Sequence, residues 1–318
     1  MIKKLIFSIF FVFLSTQTSD TLALLSNTAI LKNSSKVQNI LHNHGFKKVF
    51  FTTKDHINIC GLFLDQSKKY QNKLKGTIIF SAGFYPGTKE GMATFYAMMQ
   101  DQPYNFLFFD ARGHNESSGP LWSFTYLKQY GSSEYLDILS AIEYLNNYNK
   151  KHEINPSIIL HGVCSGAFHN IKALYKMQRK QLDTKNIKGI IFDSGWSCVE
   201  EIVEPTIQAE IKHMLQDSYF YILQKPLTYL ITKLYQWTLK KHHKNIESIQ
   251  EATPAITCPC LFIHSTHDSY APIKPVQLFA QTIPKATIWW DDSHSHATCH
   301  LKKQQQYNEI LKKFLDQM

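Results

Sequence analysis

The sequence predicts a doubly wound, mostly parallel α/β sheet that carries a small helical cap. Three observations predict it. Short runs apolar on both faces recur along the chain, stretches of helical period separate them, and one long stretch at about 199–252 breaks the alternation with helix only. Runs without a polar face fit parallel strands covered by helices on both sides. Strand–helix alternation over 318 residues gives a doubly wound sheet, in which ligands bind beyond the carboxyl ends of the strands. Hydrophobic residues make up 44% and charged residues 19%, so a packed core is expected and wholesale disorder is excluded.

Met1–Lys4 is a short basic head, Leu5–Leu14 an apolar run interrupted by Ser8, and a polar stretch then leads to Thr21-Leu22-Ala23. The run is shorter than the ~20 residues a membrane span needs. Residues 1–23 therefore read as a secretory signal, with an uncleaved membrane anchor as the alternative. Export to the periplasm or the medium follows, and residues 24–318 are left as a single domain. Val49–Phe51 and Ile57–Phe63 read as early strands. Further strands are expected at Gly76–Phe80, Asn105–Phe109, Ser157–Leu160, Gly189–Phe192, Cys260–Ile263 and Thr287–Trp290. Helices are expected at Ser133–Tyr148, where Tyr135, Ile138, Leu139, Ile142 and Leu145 share a stripe, at Asn170–Lys180, and at Tyr307–Met318. Within the cap, Thr206–Leu215 and Tyr219–Leu239 carry helical patterns rich in Tyr, Leu and Ile. The six cysteines show no spacing of a disulfide framework. The net charge is +9, but the basic residues fall in scattered pairs such as Lys47–Lys48 and Lys150–Lys151. That argues against a nucleic-acid partner and is compatible with association at an anionic membrane surface. Oligomeric state is not legible.

The sharpest local signal is Leu160-His161-Gly162-Val163-Cys164-Ser165-Gly166-Ala167, between a strand and a helical stretch. A nucleophile perched on a tight strand-to-helix turn needs small residues two before and two after it, and Gly162 and Gly166 stand there. The apex, Cys164, points into the crevice at a helix N-terminus, which favours a thiolate. The competing readings are a buried structural thiol at Cys164 and a nucleophilic Ser165.

From about Lys47 to the C-terminus the chain resembles the α/β-hydrolase superfamily, in particular bacterial hydrolases of the serine aminopeptidase-like branch. The elbow matches with Cys in place of the usual Ser. Asp110-Ala111-Arg112-Gly113-His114-Asn115-Glu116-Ser117 resembles the superfamily's Asp-x-Arg-Gly-x-Gly-x-Ser segment, departing at Asn115. That segment is expected to serve the fold more than the chemistry.

A cysteine nucleophile needs a base and a group that orients the base. The resemblance implies that Asp268, after the strand at Leu261–Ile263, is the acid; Asp193, after the preceding strand, is the alternative. Three histidines compete for the base within Asp291–His300. The family resembled has its catalytic His just after the last strand, at a fixed interval before a Tyr-led helix; matched to Tyr307 and the closing helix, that pattern implies His296 over His294 and His300. His294, His296, Cys299 and His300 also admit a zinc reading, but the match to a known metal run is partial, and neither metal nor cofactor is expected. The backbone N–H groups of Ser165 and Phe84 are expected to form the oxyanion hole; Ala82-Gly83-Phe84 stands where the family has His-Gly-x.

The expected activity is hydrolysis of an ester, thioester or lactone through an acyl-enzyme intermediate, on a small-molecule or acyl substrate. Acyl transfer on the same fold and a catalytically silent binding protein are the alternatives.

Overall fold

The computed structural model describes residues 34–84, 87–119, 132–215, 222–242, 248–292 and 296–318. The expected signal at 1–23, the start of the second cap helix and His294 lie outside the described residues. Eight strands form one sheet: β1 Lys47–Thr52, β2 Asn58–Leu64, β3 Gly76–Ser81, β4 Tyr104–Phe109, β5 Ile158–Val163, β6 Ile187–Asp193, β7 Cys260–Ser265 and β8 Ala286–Asp291. Their order is β1-β2-β4-β3-β5-β6-β7-β8. β2 pairs antiparallel with both β1 and β4, and every pairing from β4 through β8 is parallel. The doubly wound, mostly parallel sheet read from the sequence is the one observed.

Among the described residues, eight longer helices flank or cap it: α1 Ser34–Asn43, α2 Ala93–Met99, α3 Tyr135–His152, α4 Ser165–Arg179, α5 Val199–Leu215, α6 Gln224–His242, α7 Ile273–Gln281 and α8 Gln304–Leu315. The strands are apolar on both sides because successive residues serve opposite layers. Ile79, Leu160, Ile190 and Phe262 pack with α3, α4 and α7 through Ile142, Phe168, Leu174 and Phe279. Their neighbours Ile78, Ile159, Ile191 and Leu261 pack with α2 and α8 through Phe95, Met99, Leu311 and Phe314.

Helix boundaries moved where apolar period is a poor guide. α4 begins at Ser165, five residues before the expected Asn170, because Ser165-Gly166-Ala167 are chosen for close approach and carry no apolar stripe. α5 begins at Val199 and runs through Pro205, where the sequence suggests a start only at Thr206. Val199, Val203, Ile207 and Ile211 are all buried at i, i+4 spacing across the proline, and this packing outweighs the lost hydrogen bond. α3 extends one polar turn beyond Tyr148 and ends at Glu153 in the left-handed region, φ 55°.

Candidate active site

The sheet ends at its carboxyl edge in a set of tight loops, and the sharpest is at Cys164. One residue separates β5 from α4. It sits at φ 57°, ψ −122°, a strained conformation for a non-glycine residue that neighbouring structure must enforce. The Cys164 N–H donates to Asp193 O (2.8 Å), and the Ala167 N–H donates to Cys164 O (3.1 Å). A Cβ on Gly162 would lie 2.5 Å from Ala167 Cα, and one on Gly166 only 2.1 Å from Ser81 O. The two glycines therefore let β3, β5 and α4 meet. Gly166→Ala is expected to destabilise the fold by about 3 kcal/mol, read as a lower midpoint in urea denaturation. An unchanged midpoint would contradict the packing described.

His296 lies in the loop after β8, and its Nδ1–H donates to Asp268 Oδ2 at 2.7 Å. The ring also hydrogen-bonds Cys164. Burial alone would lower the His296 pKa, but the Asp268 carboxylate and then Cys164, by charge and hydrogen bond, hold it well above the ordinary imidazole value. Asp268 Oδ1 accepts the N–H groups of Tyr270 (2.9 Å) and Ala271 (2.8 Å). Burial pushes its pKa up, His296 pulls it down, and the result is a carboxyl below the usual range. Cys164, His296 and Asp268 thus form one hydrogen-bonded line, drawn from the ends of β5, β8 and β7.

The rival residues are elsewhere. Asp193 Oδ2 accepts the Tyr307 hydroxyl (2.7 Å), and Oδ1 accepts the Ser194 hydroxyl (2.8 Å); burial pushes its pKa up to about 6. His300 packs against Phe95 with ring centroids 4.4 Å apart and the rings tilted by 36°, and burial lowers its pKa to about 4. Cys299 is fully buried in the same apolar layer. Among the described residues, Cys60, Asp110 and Glu116 place ligand atoms within 4.8 Å of one another. That spot already holds a cation: Lys89 Nζ sits 2.7 Å from Asp110 and 2.9 Å from Glu116. Burial also pushes the Cys60 thiol up to about 11.

Phe84 and Ser165, the expected oxyanion donors, line one small cavity of about 30 Å³ with Ser81, Gly166 and His114, enough for a water molecule. The loop after β3 passes directly over Cys164, since a Cβ on Gly83 would lie 2.9 Å from Cys164 Cβ. The segment after β4 is tied down at several points. Arg112 Nε and Nη2 donate to Asp137 Oδ1 (2.9 and 2.8 Å), tying the segment to α3. Asn115 stands at φ 42°, where Asn replaces glycine at little penalty. His114 faces two carbonyls, Phe84 O at 2.8 Å from Nε2 and Arg112 O at 3.1 Å from Nδ1. Burial lowers its pKa, and the Nε2 contact to Phe84 O is the shorter of the two. His114 braces the loop from outside it, in a chain whose loop has Ala82 where a histidine was the family expectation. His114→Ala is expected to lower kcat for ester hydrolysis about 10–100-fold, as small misplacements of a catalytic donor do, with KM nearly unchanged. A lower Tm with unaltered kcat would make the contact merely structural.

No protein-family model matches the chain, and no curated protein is recognisably similar to it. Solved structures are similar in fold. An esterase of Pyrococcus furiosus superposes with a TM-score of 0.63 at 20% identity, covering 86% of this chain and 90% of its own. An esterase of Exiguobacterium antarcticum gives 0.58 at 14% identity, over 85% and 100%. The enol-lactonase of Burkholderia xenovorans LB400 gives 0.56 at 14% identity, over 84% and 100%. The chain has the α/β-hydrolase fold. Within this α/β-hydrolase fold, sequence reasoning missed three supports of the site. His264 is fully buried on β7, donates Nε2–H to Ala271 O (2.7 Å) and lies 3.6 Å from Asp268 Oδ2; the His-x-x-x-Asp spacing was its only trace. Tyr307 ties α8 to Asp193, the residue whose carbonyl holds the Cys164 amide. His114 left no signal, because its partner is a backbone carbonyl 30 residues away in sequence.

Proposed function

We propose that the protein hydrolyses an ester, thioester or lactone of a small or acyl substrate, with Cys164 as nucleophile, His296 as general base and acid, and Asp268 as the group that orients His296. The observation that carries this reading is the hydrogen-bonded line Cys164–His296–Asp268 at the carboxyl edge of the sheet. In this reading His296 Nε2 takes the Cys164 proton, and the thiolate attacks the substrate carbonyl carbon. The carbonyl electron pair moves to oxygen, where the N–H groups of Ser165 and Phe84 receive it. Collapse expels the alkoxide or thiolate leaving group, which takes the proton from His296 and leaves a thioester on Cys164. Water then attacks that thioester, giving its proton to His296. The second collapse releases the acid and returns the proton toward Cys164. Asp268 stays ionised and fixes the tautomer with Nδ1–H toward itself. The same fold in proteins named as esterases and an enol-lactonase supports carbonyl substrates of this kind. A thiolate attacks activated carbonyls more readily than amides, which directs the proposal away from peptides.

The test is thiolate reactivity. Iodoacetamide at neutral pH is expected to alkylate Cys164 rapidly in the wild type, and His296→Ala is expected to slow that labelling at least about tenfold by removing the partner that holds the thiolate. Equal labelling of the two proteins would remove His296 from the mechanism.

A further inference from the structure

We propose that the outward face of α6 docks the protein on an anionic lipid surface. The helix is turned inside out relative to a water-facing helix. Its small polar residues Thr228 and Thr232 are buried, while Tyr229 is 67%, Leu230 54% and Trp237 62% exposed, with Ile222 71% exposed in the turn that leads into it. At 100° per residue these side chains fall on one stripe, together with Lys233. A helix apolar on both sides is ordinarily covered on both sides, and α5 accounts for the inner one, leaving this stripe as a docking surface.

Charge selects the occupant. Over its 19 residues α6 carries Lys225, Lys233, Lys240 and Lys241 and no acidic residue. The acidic residues of the neighbouring cap helix, Glu200, Glu201, Glu204 and Glu210, are all on α5. A second copy of the chain docking through the same face would set lysine against lysine with no carboxylate between them, because a two-fold contact is self-complementary. An anionic bilayer surface supplies both needs: an apolar boundary for Leu230 and Trp237, and phosphates for the lysines. Trp and Tyr with flanking Lys is the composition of helices that lie in the headgroup region. Lys233 Nζ stands 5.5 Å from the Tyr229 ring, so charge and aromatic surface are presented together. No described helix is long and apolar enough to cross a membrane, and α6 is therefore a surface contact rather than a span. The surface is independent of the chemistry proposed at Cys164.

The experiment is tryptophan quenching by vesicles whose acyl chains are brominated, with the full chain, in phosphatidylglycerol and in phosphatidylcholine. Phosphatidylglycerol vesicles are expected to quench the wild type, and Trp237→Phe, a conservative change, is expected to remove most of that quenching. Lys225→Gln with Lys233→Gln is expected to raise the lipid concentration for half-maximal quenching about tenfold or more, and added salt to do the same in the wild type. Three results would overturn the proposal: no quenching by phosphatidylglycerol, quenching that persists in Trp237→Phe, or equal quenching by phosphatidylcholine. A dimer in light scattering that the lysine substitutions strengthen would instead assign the face to a second copy. Circular dichroism of each variant separates a lost surface from a lost fold.

Discussion

Cys164→Ala is expected to lower kcat/KM for short p-nitrophenyl esters by about 10⁴-fold or more, the loss seen when a covalent nucleophile is removed from a triad. The alanine keeps the backbone: the N–H at the apex still reaches Asp193 O, and Gly162 and Gly166 still admit the close approach of β5 and α4. What disappears is the sulfur that, in the proposed mechanism, bonds the carbonyl. Stability is expected to change little, because a half-buried side chain at a turn apex is lost. Cys164→Ser is expected to fall between the two, since it retains a nucleophile of much higher pKa beside the same base. Wild type and Cys164→Ala turning over esters equally slowly would show that the fold has kept its geometry without the activity.

Asp268→Asn is expected to be nearly as damaging, about 10⁴-fold in kcat, the scale of a triad held in the wrong tautomer. The carboxamide oxygen introduced by this change can still accept from the amides of Tyr270 and Ala271, so its NH₂ is left facing His296 Nδ1. The imidazole then carries its proton on Nε2, toward Cys164, and cannot accept another there. Asp193→Asn is expected to cost less than about tenfold, because a residue that holds no triad proton acts only through packing. The opposite ranking would transfer the acid to Asp193. The pair of Asp268 and His296 also sets pH dependence. The Asp268 pKa is lowered in the folded protein, so its contact adds stability above the unfolded value of about 3.9 and loses it as pH falls through the folded one. The His296 pKa is raised, so its contribution is complete below the unfolded value of about 6.5 and is lost as pH rises through the folded one. Asp268→Asn is expected to remove the acid slope and to flatten the His296 slope in a Tm-against-pH series, Cys164 retaining the rest.

Much of the site was legible because the fold repeats a local grammar. Gly162-x-Cys164-x-Gly166 between an apolar run and a helix is a steric statement about one turn, and the structure meets it with φ 57° at Cys164 and no room for a Cβ on either side. Asp268 and His296 were selected by the resemblance, and the structure brings them within 2.7 Å. The apolar period misled where packing and period disagree. Pro205 sits inside α5 because the buried stripe from Val199 to Ile211 continues across it. The helical pattern of the cap likewise left open which way Tyr229 and Trp237 point; they face outward, since a helical stripe shows that a face is apolar and not what it faces.

The sequence by itself determined the strand–helix alternation, the elbow and its cysteine, because each depends on residues adjacent in the chain or on a short period. Only the tertiary structure decided which of two carboxylates meets the histidine. Asp193 and Asp268 both follow sheet strands, but Tyr307 and Ser194 occupy the first, while two amides and His296 converge on the second. Only the tertiary structure showed that His114 braces the Phe84 loop and that α6 turns Tyr229, Leu230 and Trp237 outward. Those assignments rest on directions in space between segments far apart in sequence, and a linear pattern of residue types carries no such directions.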